Sequence, residues 1–149
     1  MATNQSQQKI NIYSIFFDGA SKGNPGKAGS AAVLYKDGVE IGTISKYIGP
    51  RKTNNEAEYM GLILGLILCV QNNIKEVHVY GDSQLIIRQM IGQYQVKNKR
   101  MKELWLDAQS LLANFSAVHF QHIERSLNGR ADQLANEAIA LVAERRIAV

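Results

Sequence analysis

Residues 10–48 read INIYSIFFDGASKGNPGKAGSAAVLYKDGVEIGTISKYI, and the punctuation of this stretch sets the fold. Residues 10–17 are apolar, β-branched or aromatic, the pattern of a strand, and the run ends on an abrupt acid, Asp18. Gly19, Gly23, Gly26 and Gly29, with Pro25 among them, mark the following segment as a loop. Residues 30–35 and 39–48 are two further strands, joined by a tight turn at Lys36-Asp37-Gly38. Three consecutive strands with short connections form an antiparallel meander.

Outward from this meander the period changes. Gly49-Pro50 should stop the third strand, and a helix is expected over 54–70, with Thr53 and Glu56 spaced as a capping box. Residues 75–80 read as a short buried strand and 82–91 as a short helix. A basic connector, 93–102, carries Lys97, Lys99, Arg100 and Lys102. It leads to a helix over 103–114 with Leu104, Trp105, Ala108, Leu111 and Leu112 as its apolar positions. A last strand over 117–123 and a helix over 128–145 complete the order βββαβααβα. That order describes an α/β fold with a mixed sheet. Residues 1–8 are polar and read as a disordered tail, which leaves a single domain over 9–146.

The chain has 149 residues, 46% hydrophobic and 20% charged, which suits one globular domain and excludes disordered, collagen-like and coiled-coil classes. Its one cysteine, Cys69, can form no internal disulfide, and no Cys/His pattern has the spacing of a structural zinc site. The apolar run from Met60 to Val70 is too short for a membrane span, which takes roughly twenty residues. It reads as a buried helix with Cys69 as a small core residue. A free cysteine there makes a reducing cytoplasm the expected location. The amino terminus lacks the apolar segment of a secretory signal. A net charge of +4 is compatible with a polyanionic partner without requiring one. No protein partner is implied, and a monomer is expected.

Four acids fall at element ends: Asp18 after the first strand, Glu58 one turn into the first helix, Asp82 after the fourth strand, and Asp132 at the start of the last helix. Ligand crevices of α/β sheets form there. Each has a plain structural reading: a turn for Asp18, an exposed helix position for Glu58, a cap for Asp82, a macrodipole complement for Asp132. Gathered together, they would repel unless protonated or bridged by cations. Mg²⁺ prefers such oxygen donors, and two ions about 3.5–4 Å apart can activate water and stabilise a leaving oxygen in phosphodiester cleavage.

The contexts of these acids narrow the reading. FFDGASKGNPGKAG, TNNEAEYMGLILGL, VYGDSQLIIRQM and HIERSLNGRADQLANEA occur in the order found in type 1 ribonuclease H, and the chain resembles that family over about residues 10–143. The resemblance implies a ribonuclease H-like fold, with a five-stranded mixed sheet and helices on both faces. It also implies hydrolysis of the RNA strand of RNA/DNA hybrids to 5′-phosphate and 3′-hydroxyl ends by a two-metal-ion mechanism. Asp18, Glu58, Asp82 and Asp132 match the family's metal-binding acids, for two Mg²⁺ with Mn²⁺ as a substitute. His122 occupies the place of a histidine thought to assist proton transfer or product release. The short segment around it resembles members with an arginine instead, which makes Arg125 a second candidate. Asn24, Asn54, Asn55 and Gln84 match residues that read the minor groove of the hybrid, Thr53 a phosphate contact, and Gly19 a close backbone approach. Many bacterial members carry a long basic protrusion where the connector 93–102 is short, and the resemblance is to a short form, expected to be without an N-terminal hybrid-binding domain. Lys99 and Arg100 in the short connector are expected phosphate contacts. The competing classes are a non-catalytic binding module on the same fold, another ribonuclease H-like phosphotransferase, and a small-molecule α/β enzyme.

Overall fold

The computed structural model describes residues 11–148, with side chains through Val142. The expected tail, 1–8, and residues 9–10 lie outside the described residues. The elements are β1 (Tyr13–Lys22), β2 (Gly26–Lys36), β3 (Val39–Lys52), α1 (Asn54–Gln71), β4 (Glu76–Gly81), α2 (Gln84–Met90), α3 (Lys99–Leu112), β5 (Ala117–His122) and α4 (Gly129–Ala148), with one 3₁₀ turn (Arg125–Leu127) before α4. This is the order expected. The sheet runs β3-β2-β1-β4-β5. Strands β1, β2 and β3 pair antiparallel, and β4 pairs parallel with both β1 and β5. Among the described residues no helix is long and apolar enough to cross a membrane.

Three boundaries differ from expectation. β1 does not end at Asp18 but continues to Lys22, because Asp18–Lys22 pair with Ala31–Lys27 of β2 and the expected loop shrinks to a tight turn. Two of its glycines serve close packing rather than turning: a Cβ on Gly19 would strike the Ala57 backbone, and one on Gly29 the Ala135 carbonyl. β3 runs through Gly49-Pro50 to Lys52. It is an edge strand, where a proline's missing N–H costs no ladder bond. α3 begins at Lys99 rather than 103, because the Asn98 side chain accepts the Met101 N–H at 3.0 Å and caps the helix. Lys99, Arg100 and Lys102 therefore belong to its first turn and not to a connector.

The core lies between the sheet and α1. Ile15 and Phe17 of β1, Leu34 of β2, Val77 and Val79 of β4 and Tyr59, Leu62 and Leu66 of α1 are all buried, each contributing about 1.5–3 kcal/mol of transfer free energy. α3 packs on α1 from outside, which explains why Met60–Val70 is apolar on more than one side. Cys69 is buried there, and burial pushes its thiol up to about 12. α4 covers the opposite face of β1, β2 and β3.

The sheet–helix spacing is set where α1 crosses β1. A Cβ on Gly61 would overlap the carbonyl group of Asp18, so the helix can lie against the strand backbone only because that residue is glycine. Gly61→Ala should destabilise the chain by about 2 kcal/mol or more in urea unfolding. Gly42→Ala in β3 meets nothing nearer than Leu68 Cδ2 at 4.0 Å and should change stability by less than about 0.5 kcal/mol. Equal costs at the two positions would contradict this packing.

Candidate active site

β1 and β4 stay in parallel register only as far as the pair Phe17↔Gly81. Beyond it β1 continues along β2, whereas β4 ends and the chain turns into α2. The separation opens a crevice at the carboxyl ends of the parallel strands, and Asp18 and Asp82 are the first residues past it on either side. Asp82 is not a cap: Ser83 takes that role, its hydroxyl accepting the Ile86 N–H at 3.3 Å. Glu58 arrives from α1. Thr53 caps this helix by accepting the Glu56 N–H at 3.1 Å, while the Glu56 carboxylate accepts the Thr53 N–H at 3.2 Å, the capping box expected. Glu56 is thereby spent on the helix end, and Glu58 is the glutamate that reaches the crevice.

Oxygens of Asp18, Glu58 and Asp82 lie within 4.8 Å of one another. Asp132, in the first turn of α4, lines the same cleft of about 490 Å³ outside this tight cluster. Asp18 is 3% exposed, and its Oδ1 accepts the Gly19 N–H at 2.9 Å. Burial pushes its carboxyl up to about 7; the hydrogen-bonding contact with Glu58 pulls downward, and the charge of Asp82 pushes upward again. Burial likewise raises Glu58 well above the ordinary range, with the Asp18 charge adding to it. Glu58 Oε2 is buried without a hydrogen-bond partner among the described residues. Such a set of oxygens, close, partly withdrawn from water and incompletely bonded, fits a hard divalent cation. Asp18, Glu58 and Asp82 would hold it, with Asp132 on the adjoining wall.

The other expected residues divide by position. Gly19, Asn54, Asn55 and Arg125 line the cleft. Asn24 and Asn54 are linked: Asn24 Oδ1 accepts the Asn54 N–H and Asn54 Oδ1 accepts the Ser21 N–H, both at 2.9 Å. The β1–β2 turn is thus tied to the start of α1. Gln84 is exposed at the start of α2. His122, exposed at the end of β5, does not line the cleft. Lys99 is exposed, and Arg100 is engaged by Glu56 at 3.2 Å and Glu103 at 3.0 Å, both outside the cleft.

Two asparagines escaped the sequence reading. Asn128, 1% exposed, donates from Nδ2 to the Phe17 carbonyl at 2.8 Å and to Asp82 Oδ2 at 3.4 Å, while its backbone carbonyl accepts the Asp132 N–H. The side chain thus joins β1 to the Asp82 carboxylate, and the backbone of the same residue holds the start of α4. Asn136, one turn beyond Asp132, donates to the Asp132 Oδ1 at 3.3 Å and accepts from Lys22 Nζ at 2.7 Å. Its i, i+4 spacing from Asp132 was a usable signal; the reach of Asn128 to Asp82 was not.

This strand order with acids gathered at the carboxyl ends of β1 and β4 is a ribonuclease H-like fold. A family model described as reverse transcriptase-like matches residues 16–138. The bifunctional protein Rv2228c of Mycobacterium tuberculosis is 40% identical over 128 residues, covering 85% of this chain and 35% of that protein. The crystallised N-terminal RNase H domain of Rv2228c superposes with a TM-score of 0.85 at 37% identity, over 92% of this chain and 99% of that one. Ribonuclease HI of Halobacterium salinarum is 38% identical over 83% of this chain and 62% of its own length. LC11-RNase H1, solved in complex with an RNA/DNA hybrid, gives a TM-score of 0.82 at 38% identity, covering 88% of this chain and 99% of that one. The chain belongs to the type 1 ribonuclease H family. It spans about a third of the mycobacterial relative and under two thirds of the halobacterial one.

The raised Asp18 has a consequence for stability. Between the ordinary value of 3.8 and about 7 the folded chain keeps a proton that the unfolded chain has lost, so stability is present at low pH and lost as pH rises through 7. In a chelator, the melting temperature should be several degrees higher at pH 6 than at pH 8.5, as followed by calorimetry. Asp18→Asn should shrink that difference, leaving the part that burial of Glu58 contributes, and millimolar Mg²⁺ at pH 8.5 should restore the lost stability to the native chain. A chelated melting temperature that does not fall between these pH values would contradict the burial of this pair.

Proposed function

We propose that this chain is a metal-dependent endoribonuclease that hydrolyses the RNA strand of RNA/DNA hybrids, leaving 5′-phosphate and 3′-hydroxyl ends. The observation that carries the reading is the convergence of Asp18, Glu58 and Asp82 within 4.8 Å in a cleft also lined by Asp132. Two Mg²⁺ ions held there would supply Lewis acidity and lower the pKa of a bound water, with Mn²⁺ as a substitute. The remaining work belongs to the chain's own residues. Asp18 and Glu58 offer their carboxylates from a rigid strand and a capped helix. Asn128 fixes the orientation of Asp82, and Asn136 that of Asp132. Arg125 brings a positive charge to the wall of the same cleft, where a phosphate of the RNA strand would meet it.

Hybrid recognition falls to the rim. A minor groove lined with 2′-hydroxyls is read without base preference by short amides. Asn54 and Asn55 present them from the first turn of α1, Asn24 from the β1–β2 turn and Gln84 from the start of α2. The oxygens of Asn24 and Asn54 already hold backbone N–H groups, so their amide nitrogens are the groups that would contact the duplex. Thr53 holds Asn54 and Asn55 in place through the cap. Gly19 keeps the cleft floor narrow enough for backbone to approach the RNA. Lys99 supplies a solvent-facing charge for a phosphate farther along the duplex. Arg100, held by Glu56 and Glu103, adds to the positive field there. The location of His122 outside the cleft favours Arg125 over it as the auxiliary group.

The test is cleavage of labelled RNA/DNA, RNA/RNA and DNA/DNA duplexes with Mg²⁺ or chelator. Only the RNA strand of the hybrid should be cut, and only with metal. Asp82→Asn and Glu58→Gln should lower turnover by at least about a hundredfold, because each loses a charged donor without losing shape. Glu56→Gln should keep turnover and cost about 1 kcal/mol of stability through the capping box. Wild-type turnover in Asp82→Asn, or an inactive but well-folded Glu56→Gln, would assign the chemistry elsewhere.

A further inference from the structure

A second group of metal-ligating side chains lies away from the acidic cleft. At about 3.3 Å per residue, His78 is roughly 13 Å back along β4 from Asp82. The parallel register pairs His78 directly with His119 of β5, and their rings stack with centroids 4.7 Å apart and planes at 26°. Glu76 precedes His78 by two positions, so both project from one face of β4. Its Oε2 lies 3.1 Å from His119 Nε2. One ligand atom from each of the three falls within 4.8 Å of the others.

We infer that Glu76, His78 and His119 form a binding site for a borderline-soft divalent transition ion, with Zn²⁺ as the type, separate from the acidic cleft. Two imidazoles and one carboxylate suit such ions, whereas Mg²⁺ takes oxygen donors and resists dehydration. Tetrahedral Zn²⁺ with bonds of 2.0–2.2 Å places neighbouring ligand atoms about 3.3 Å apart. The Glu76–His119 pair already has nearly that separation. Closing His78 onto the pair takes side-chain rotation only, since the backbone positions are held by the β4–β5 ladder. The Glu76 and His119 side chains are 61% and 50% exposed, so they are free to rotate and the fourth position is open to water. The segment Asn11–Tyr13 borders a small cavity with Glu76 and His78, which leaves room for that water. Among the described residues β5 is an edge strand bonded to β4 alone. An ion bridging the two strands would therefore tie the sheet edge across a seam otherwise held by backbone bonds.

The chain contains three histidines, and the third, His122, lies outside this group. The measurement is the imidazole ¹⁵N–¹H spectrum of the full chain in millimolar Mg²⁺, which occupies the carboxylates, as Zn²⁺ is added. The lines of His78 and His119, assigned with His78→Gln and His119→Gln, should shift together and saturate near one equivalent while His122 stays fixed. In His119→Gln the response of His78 should move to at least tenfold higher Zn²⁺, and Glu76→Gln should weaken the response of both. Unmoved lines at stoichiometric Zn²⁺, a His122 shift tracking the other two, or a His78 response unchanged in His119→Gln would each overturn the site.

Discussion

Asp18, buried on the central strand of the sheet, and Glu58, half-buried on the helix that covers it, are held against each other at the floor of the cleft. An ionised carboxylate in such a place is costly unless a proton or a cation compensates it. Much of the local sequence serves to keep the pair there. Gly61 lets α1 lie on the Asp18 backbone, Gly19 lets the strand pass under Ala57, and the Thr53–Glu56 box fixes where α1 begins. Relaxing any of these would let the acids separate and hydrate. The geometry thus stores electrostatic repulsion that a bound divalent ion would relieve, with stability traded for a preorganised site.

The same logic explains the polar atoms that the core tolerates. Asn128 is buried beneath the cleft because its amide nitrogen meets the Phe17 carbonyl and the Asp82 carboxylate at the point where β1 and β4 part. Its side chain ties β1 to Asp82, its backbone carbonyl accepts the Asp132 N–H, and the first turn of α4 brings Asp132 onto the same wall. The acids come from four separate elements, so their mutual position depends on the packing of the whole domain and not on any local motif.

Element order was legible because the apolar runs are long and cleanly interrupted; residues 10–17 and 60–70 leave little choice. Boundaries were less legible where one residue type serves two purposes. Gly19 and Gly29 read as loop residues, yet they are small because a helix presses on each. Pro50 reads as a strand end, yet an edge strand accommodates it. Asn98 caps α3 six residues before Leu104, where its expected apolar pattern begins, which moved Lys99 and Arg100 from a connector onto a helix. The four acids were legible from their places at element ends, together with the motifs around them. What sequence could not supply was contact across distance: the reach of Asn128 to Asp82, the pairing of Arg100 with Glu56, and the meeting of Glu76 with His119, 43 residues away. Those follow from register and packing alone.

The central claim is that the Asp18–Glu58 pair at the floor of the cleft is a device for holding a divalent ion. Its most direct test is the ¹³C carboxyl titration of Asp18 by NMR, recorded in chelator and again in millimolar Mg²⁺. The expected midpoint is near 7 in chelator, falling below the ordinary carboxylate value of about 3.9 once Mg²⁺ is present. A midpoint near 4 under both conditions would contradict the claim.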